Sequence, residues 1–298
     1  MGKSILVISL FAVMMLTGCG SDSDSENNSG IGKHEVSDAF IAEQRKKLAE
    51  SAKKAIEEGK VVGPQSPRDI DNPNGNNFVD FPVAPPYTDM YLCDIHFHKS
   101  AEHKGGEFTV YAGNGDGEGF GTGYKYSGTL SATELRKYTI ESEENPLYSG
   151  DTIEVHYVYS SSLKATLGHG LGTCLDPDSD VQPLLRVESQ VYVLVNDENA
   201  LDFNKVNKVT QDSAGRYQAA NVPTGPSVQY QGSTTGPGYN ETYSPYKVTW
   251  NVRKKVKKVN IKTIEKWFES NVFDEKHAHG VRNLVINPDL LSPIPQAQ

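Results

Sequence analysis

The sequence is short of cysteine, of positive charge and of apolar runs long enough to cross a membrane. Only three of its 298 residues are cysteines. The N-terminal apolar stretch at 5–16 is shorter than the ~20 residues that a membrane-spanning helix needs. The net charge of −9 at pH 7 argues against nucleic acid as a partner. One basic cluster lies at 253–258, and its interleaved valines predict an exposed strand with charged flanks.

The N-terminus is typical of an exported chain. A lysine and the apolar stretch lead into Leu16–Cys19, which resembles a bacterial lipobox. We expect 1–18 to be a lipoprotein signal peptide, cleaved before Cys19, whose sulfur is then acylated with palmitate. Residues 19–33, mostly Ser, Asp, Asn and Gly, predict a flexible tether. The expected location is the bacterial cell envelope, lipid-anchored to a membrane and facing the periplasm or exterior; the alternative is an ordinary signal peptide.

Two cysteines remain after lipidation, Cys93 and Cys174. In an oxidising compartment an even pair is more often bridged than free, so we predict a disulfide between them. The alternative is that one of them is a metal ligand or a nucleophile. Because Cys93 lies three residues before His96, strand alternation predicts that it points away from the face that carries this histidine.

Hydrophobic periodicity divides the remaining chain into a lead-in at 34–86 and a β-dominated domain at 87–298. The lead-in holds a peripheral amphipathic helix over Val36–Glu58, with Ile56 on its apolar side, followed by an irregular segment rich in Pro, Asn and Asp. No repeat or linker interrupts 87–285, so one domain is expected. The strands are predicted at Met90–His98, Glu107–Ala112, Thr152–Tyr159, Leu184–Val195, Tyr246–Val252 and Lys255–Val259, and one further helix near Thr263–Ser270.

Histidines and carboxylates cluster on two of these strands. Asp94, His96 and His98 share one strand face, and Glu154 and His156 share one face of another. Three neutral imidazoles with a fourth position open are the ligand set of a catalytic zinc site. A carboxylate beside a ligating histidine can accept its second ring N–H, fixing the tautomer. The pattern therefore predicts a metal site.

Two other interpretations stay open at this stage. Glu102, four positions after His98, also fits the first motif of metal-binding cupins, where it would be a further ligand of iron or manganese. Against this, position 90 is not glycine, Thr109 stands where a later glycine is expected, and the segment around His156 lacks the second cupin motif. The other interpretation is a non-catalytic, zinc-binding envelope lipoprotein.

Five segments resemble, in order, motifs of α-type carbonic anhydrases: 94–98, 102–103, 154–158, the Tyr-x-Gly-Ser-x-Thr-x-Pro loop at 230–237, and Val-Thr-Trp at 248–250. The sequences of segments 93–103 and 244–250 resemble those of δ-class carbonic anhydrases more closely still. The resemblance implies a mainly β (α+β) fold, with a central twisted, mostly antiparallel sheet and peripheral helices. It also implies reversible hydration of carbon dioxide to bicarbonate and a proton through zinc-bound hydroxide, with these small molecules as the substrates.

The resemblance assigns roles residue by residue. The Zn²⁺ ligands would be His96, His98 and His156, and Asp94 and Glu154 would accept hydrogen bonds from them. In the catalytic step, Glu102 would accept a hydrogen bond from the hydroxyl of Thr235, or of Thr234 if the alignment shifts by one residue. Val158 would line the carbon dioxide pocket, and His103 matches a buried structural histidine.

The sequence also departs from the α-type pattern. Glu102 and His103 follow the histidine pair sooner than in α-type enzymes, so the loop between those strands is expected to be shorter. No histidine matches the α-type proton shuttle. The shuttle candidates that remain by elimination are His169, His277 and His279, each expected to be a surface residue.

Overall fold

The computed structural model describes residues 35–143, 145–234 and 238–295, which fall in one compact unit. The predicted signal peptide and tether, with Cys19, and the predicted catalytic Thr235 lie outside these ranges, so both assignments stay predictions. Within the described ranges, no helix combines the length and the apolarity needed to cross a bilayer.

The described residues form few helices and many strands. The helices are α1 (Asp38–Glu57), α2 (Phe203–Val206) and α3 (Ile261–Glu269), with 3₁₀ turns at Tyr87–Asp89, Leu171–Cys174 and Pro288–Leu290. The strands are β1 (Tyr91–Lys99), β2 (Phe108–Asn114), β3 (Thr122–Tyr126), β4 (Thr139–Ile140), β5 (Leu147–Tyr148), β6 (Thr152–Ser160), β7 (Leu185–Val195), β8 (Val209–Gln211), β9 (Tyr217–Ala219), β10 (Ser227–Ser233), β11 (Lys247–Arg253) and β12 (Lys257–Asn260).

One six-stranded sheet organises the fold, in the order β1-β6-β7-β11-β10, with β12 also paired to β7. The pairs β1–β6, β6–β7 and β10–β11 are antiparallel. The pairs β7–β11 and β7–β12 are parallel, so the sheet is mixed. The expected fold class, mainly β with peripheral helices, is confirmed.

The central strands are buried on both faces, and the two faces differ in chemistry. Every residue of β6 and of β7 is buried, which suits their β-branched and aromatic composition. On one face, Val155 and Tyr157 pack in an apolar cluster with Phe97 of β1 and Trp267 of α3. Because side chains alternate along a strand, Glu154 and its neighbours at even positions face the other side. The sheet thus separates the larger apolar core from a polar site.

Three sequence-based details are wrong. Ile56 of α1 is 59% exposed and does not join Leu48, Ala52 and Ala55 in the buried stripe. The basic cluster is not an exposed strand: Val252, Arg253 and Val259 are buried. The reason is that β11 lies inside the sheet, where the Arg253 guanidinium pairs with the buried Glu188 carboxylate at 2.8 Å. Strand β10 was not predicted, because its sequence was interpreted as a loop.

The predicted disulfide between Cys93 and Cys174 is confirmed. The argument that Cys93 points away from the histidine face is wrong. The β1–β6 register shifts between Leu92 and Asp94, so Cys93 is the extra residue of a bulge. Cys93 packs with Val158, in a cluster that also contains Trp250, while Leu92 stays with the apolar cluster on the other face. A bulge breaks the alternation on which the expectation depended.

Candidate active site and metal centre

The register of β1 against β6 brings the three predicted ligands together. His96 lies opposite His156, and His98 lies opposite Glu154. The imidazole centroids are 5.2 Å apart for His96 and His98, 5.2 Å for His96 and His156, and 4.8 Å for His98 and His156. One nitrogen of each ring lies within 4.8 Å of the others. Neighbouring strands therefore supply three nitrogen donors that converge on one point.

Each of these imidazoles has its second nitrogen engaged. His96 Nδ1 lies 2.7 Å from Asp94 Oδ2, and His98 Nδ1 lies 2.7 Å from the carbonyl oxygen of Gly280. His156 Nε2 lies 3.1 Å from Glu154 Oε1. Each acceptor favours the tautomer that carries its proton on the engaged nitrogen. His96 and His98 therefore present Nε2 to the shared point, and His156 presents Nδ1.

The environment keeps two of the rings neutral. Burial, together with the neighbouring His156 and His96, lowers the pKa of His98 well below its usual value. Burial also lowers the pKa of His156, and the hydrogen bond to Glu154 only partly opposes this. Burial lowers the pKa of His96 too, but the Asp94 carboxylate, together with the charges of Glu275 and Glu102, raises it above the usual value. Neutral imidazoles are the form that binds zinc, so this donor set fits the ion.

Glu154 connects the candidate metal site to a buried hydrogen-bond network. Its carboxylate accepts hydrogen bonds from His103 Nδ1 at 2.7 Å, from the His103 backbone N–H at 3.1 Å and from Ser189 Oγ at 2.6 Å. His103 Nε2 in turn lies 2.7 Å from the Tyr230 hydroxyl. Burial raises the pKa of Glu154, but His103 and His156 together outweigh it, through charge and hydrogen bonding, and hold this pKa well below the usual value. His103 is fully buried, as expected from its match to a buried structural histidine.

Glu102 is buried beside the three-histidine set. Its Oε1 accepts a hydrogen bond from the Arg282 backbone N–H at 3.2 Å and lies 3.7 Å from His98 Nδ1. Thr234 lines the same cavity, but within the described ranges its hydroxyl makes no hydrogen bond to Glu102. The alternative partner, Thr235, lies outside those ranges. The structure therefore places Glu102 at the site and leaves its threonine partner a prediction.

A cavity of about 760 Å³ opens onto the candidate metal site. Val158, Trp250, Tyr246 and Leu171 give it an apolar wall, so Val158 lies where a small apolar substrate could bind.

The shuttle candidates His169, His277 and His279 also line this cavity. His169 is exposed, as expected, whereas His277 and His279 are only partly exposed. The reason is that the segment of His277 and His279 pairs with β1: the His279 backbone N–H donates to the Phe97 carbonyl at 2.9 Å.

Sequence reasoning missed three contributors to the site. The Gly280 carbonyl engages His98, the Arg282 N–H engages Glu102, and the Glu275 carboxylate lies within hydrogen-bonding distance of two cavity histidines. A backbone carbonyl or N–H leaves no mark in a sequence. The His-x-His of His277 and His279 was the one available signal, and without a strand around it the pattern carried little weight.

The arrangement by itself defines a class of site. Three mostly buried imidazoles face a solvent-connected cavity, and each is oriented by its own acceptor. Such a set can hold one metal ion and leave a coordination position open, as in catalytic zinc enzymes.

The chain belongs to the delta carbonic anhydrase family, whose model matches residues 87–263, more than half of its length. The expected enzyme class, a carbonic anhydrase, is thereby confirmed, and the match excludes the cupin alternative. No curated protein matches the chain.

Among solved structures, the chain is similar to α-carbonic anhydrases. One is the complex of the enzyme from Thermovibrio ammonificans with the inhibitor sulfanilamide, at 16% identity and a TM-score of 0.26, covering 73% of this chain and 84% of that one. Another is the Photobacterium profundum enzyme, at 13% identity and a TM-score of 0.25, covering 74% and 86%. A third, from Dunaliella salina, has 16% identity and a TM-score of 0.28, covering 76% and 85%.

Proposed function

We propose that this protein catalyses the reversible, zinc-dependent hydration of carbon dioxide to bicarbonate and a proton. The observation that carries the proposal is the convergence of His96, His98 and His156, each with its second nitrogen engaged by an acceptor. Membership of the delta carbonic anhydrase family supports the same reaction.

The three imidazoles would hold the ion through His96 Nε2, His98 Nε2 and His156 Nδ1. When bound, zinc supplies Lewis acidity that brings the pKa of water to about 7, a value established on carbonic anhydrase itself. Burial keeps His98 and His156 neutral. Asp94, Glu154 and the Gly280 carbonyl orient the three rings from three directions, so little reorganisation accompanies binding.

Glu102 would orient the attacking water oxygen through a threonine hydroxyl. An ionised carboxylate only accepts hydrogen bonds, so a hydroxyl that donates to it must present its lone pairs elsewhere. Thr234 supports this role by lining the same cavity, and Thr235 is the match without an alignment gap. The effect is positional: it aligns the nucleophile with the carbon atom and takes no proton itself.

The apolar wall would hold carbon dioxide, which carries no net charge and offers only weak acceptors. Val158 is 7% exposed, and Trp250 stacks edge-on against the His156 ring, with centroids 5.0 Å apart. Both side chains lie next to a candidate metal ligand. Carbon dioxide against this wall would therefore lie close to the site where water is activated.

Stopped-flow measurement of carbon dioxide hydration, with zinc assayed on the same metal-replete sample, tests the proposed function. We expect hydration well above the buffer rate, with about one tightly bound zinc ion per chain. Metal-replete, folded protein that hydrates carbon dioxide no faster than buffer would contradict the proposal. It would favour the alternative that the chain is a non-catalytic zinc-binding protein.

We further propose that the mature chain is anchored in the bacterial cell envelope through acylated Cys19. The lipobox-like Leu16–Cys19 supports this. The Cys93–Cys174 disulfide is in keeping with an oxidising compartment outside the cytoplasm.

The Cys19→Ser variant is expected to lose the anchor. In a bacterial host fed radiolabelled palmitate, the wild-type chain should be labelled and found with the membranes, whereas Cys19→Ser should be unlabelled. Cys174→Ser is the matched control, since it replaces a disulfide-bonded cysteine that lies outside the lipobox and should leave labelling unchanged. Equal labelling of the wild type and Cys19→Ser would contradict the assignment.

A further inference from the structure

A second group of histidine and carboxylate side chains lies in the wall of the same cavity. His169 Nδ1 lies 2.9 Å from Glu275 Oε1, and His279 Nε2 lies 2.7 Å from Glu275 Oε2. One ligand atom from each of the three residues lies within 4.8 Å of the other two. None of these residues belongs to the three-histidine set.

The Glu275 carboxylate is unusual because it is buried without a lysine or arginine partner among the described residues. It is 3% exposed, and both of its oxygens face imidazole nitrogens. Among the described residues, no lysine or arginine nitrogen lies within 4.0 Å of it. A buried carboxylate without a fixed cation is costly, and a divalent ion would balance its charge.

The donor set is that of a transition-metal site. Two imidazoles and one carboxylate bind zinc in known catalytic sites and leave further positions for water. They are also acceptable to cobalt, nickel and copper, because affinity for such donors follows the general order of divalent ions. Magnesium and calcium prefer oxygen donors and would bind poorly here.

The backbone holds the three side chains in place from separate parts of the chain. The side-chain amide of Asn271 contacts the Glu275 backbone twice: it donates to the carbonyl oxygen at 2.8 Å and accepts from the N–H at 3.1 Å. His279 is held against β1 on both sides, because its N–H donates to Phe97 and its carbonyl accepts from Lys99 at 3.0 Å. His169 lies in the loop before the Leu171–Cys174 turn, which the disulfide ties to β1. Such preorganisation lowers the cost of binding an ion.

We propose that His169, Glu275 and His279 form a second divalent transition-metal site in the wall of the active-site cavity. It fills after the three-histidine centre and more weakly. Two features make it weaker: the His169 side chain is 59% exposed, and the His279 ring lies only 5.4 Å from the His96 ring, so two dications would repel each other. The second ion would share the cavity through which substrate and product pass.

Metal stoichiometry tests this proposal without using activity. After equilibrium dialysis against a several-fold excess of Zn²⁺, wild-type protein should carry about two zinc ions per chain, and Glu275→Gln about one. His169→Ala should also carry about one, and because this side chain is largely exposed the variant is expected to fold normally. Asp274→Asn is the matched control: it neutralises the adjacent exposed acid, Asn tolerates the positive φ of 57° at this position, and both ions should remain.

The outcomes separate this site from the three-histidine centre. His98→Ala should lose the tighter ion and keep the weaker one, and Glu275→Gln should do the reverse. Co²⁺ in place of Zn²⁺ should give two visible absorption spectra that these variants remove one at a time. A second ion that persists in folded Glu275→Gln and His169→Ala, or a wild-type chain that binds a single ion at excess zinc, would overturn the proposal. Neither result would bear on carbon dioxide hydration.

Discussion

The His98→Ala variant is expected to lose its tightly bound zinc and nearly all of its carbon dioxide hydration. His98 supplies one of three converging nitrogens, and its ring is fixed by the Gly280 carbonyl at 2.7 Å. Alanine leaves two protein ligands, too few to hold the ion against water. Without the metal, the transition state loses several kcal/mol of stabilisation, which corresponds to a fall of about a thousandfold in kcat/KM. Stopped-flow hydration, with zinc assayed on the dialysed sample, measures both effects.

The control for this variant is His277→Ala, which removes another cavity histidine that belongs to no group able to hold a metal among the described residues. Its tightly bound zinc should be unchanged. Circular dichroism and the urea unfolding midpoint show whether each variant is folded. A folded His98→Ala protein that retains zinc and full hydration would contradict the assignment of the metal centre.

The Glu154→Gln variant is expected to weaken both metal binding and the fold. An amide of the same size can accept at only one of its two ends, while His103, Ser189 and His156 all approach the native carboxylate. Breaking a buried charge pair costs about 3–5 kcal/mol, and losing the acceptor of a ligating histidine lowers metal affinity by about 10–100-fold. Urea unfolding of the zinc-free protein and competition with a zinc chelator measure these two quantities separately.

The pH dependence of this variant follows from the depressed pKa of Glu154 in the folded state. A group of this kind contributes stability above its pKa in the unfolded chain, about 4.3, and that stability is lost as the pH falls through the folded-state value. The difference in the free energy of unfolding between wild type and Glu154→Gln should therefore be largest at neutral pH and shrink in acid. The control is Glu57→Gln, an exposed acid on α1, which should change stability by less than about 0.5 kcal/mol. A difference between wild type and Glu154→Gln that grows in acid would contradict the role of the ionised Glu154 carboxylate in this hydrogen-bond network.

Much of the fold could be predicted because strand periodicity is a local property. The sequence predicts strands at 152–159 and 184–195, within one residue of β6 and β7, since both segments are rich in β-branched and aromatic residues. The same alternation placed Glu154 and His156 on one strand face. It failed at Cys93, where a bulge inserts one residue, and at β10, which overlaps the 230–237 segment that resembles a loop.

Local pattern by itself determined which side chains could serve as ligands: two histidines two apart, each strand with its own carboxylate, and an even pair of cysteines outside the lipobox. Only the tertiary structure decided the partners that come from distant segments. The pairing of His96 with His156, the carbonyl of Gly280 against His98, and the meeting of His169 with Glu275 and His279 all depend on sheet register and on how the 271–285 segment packs against β1. Register and packing are set by burial over the whole domain, so no local window of sequence contains them.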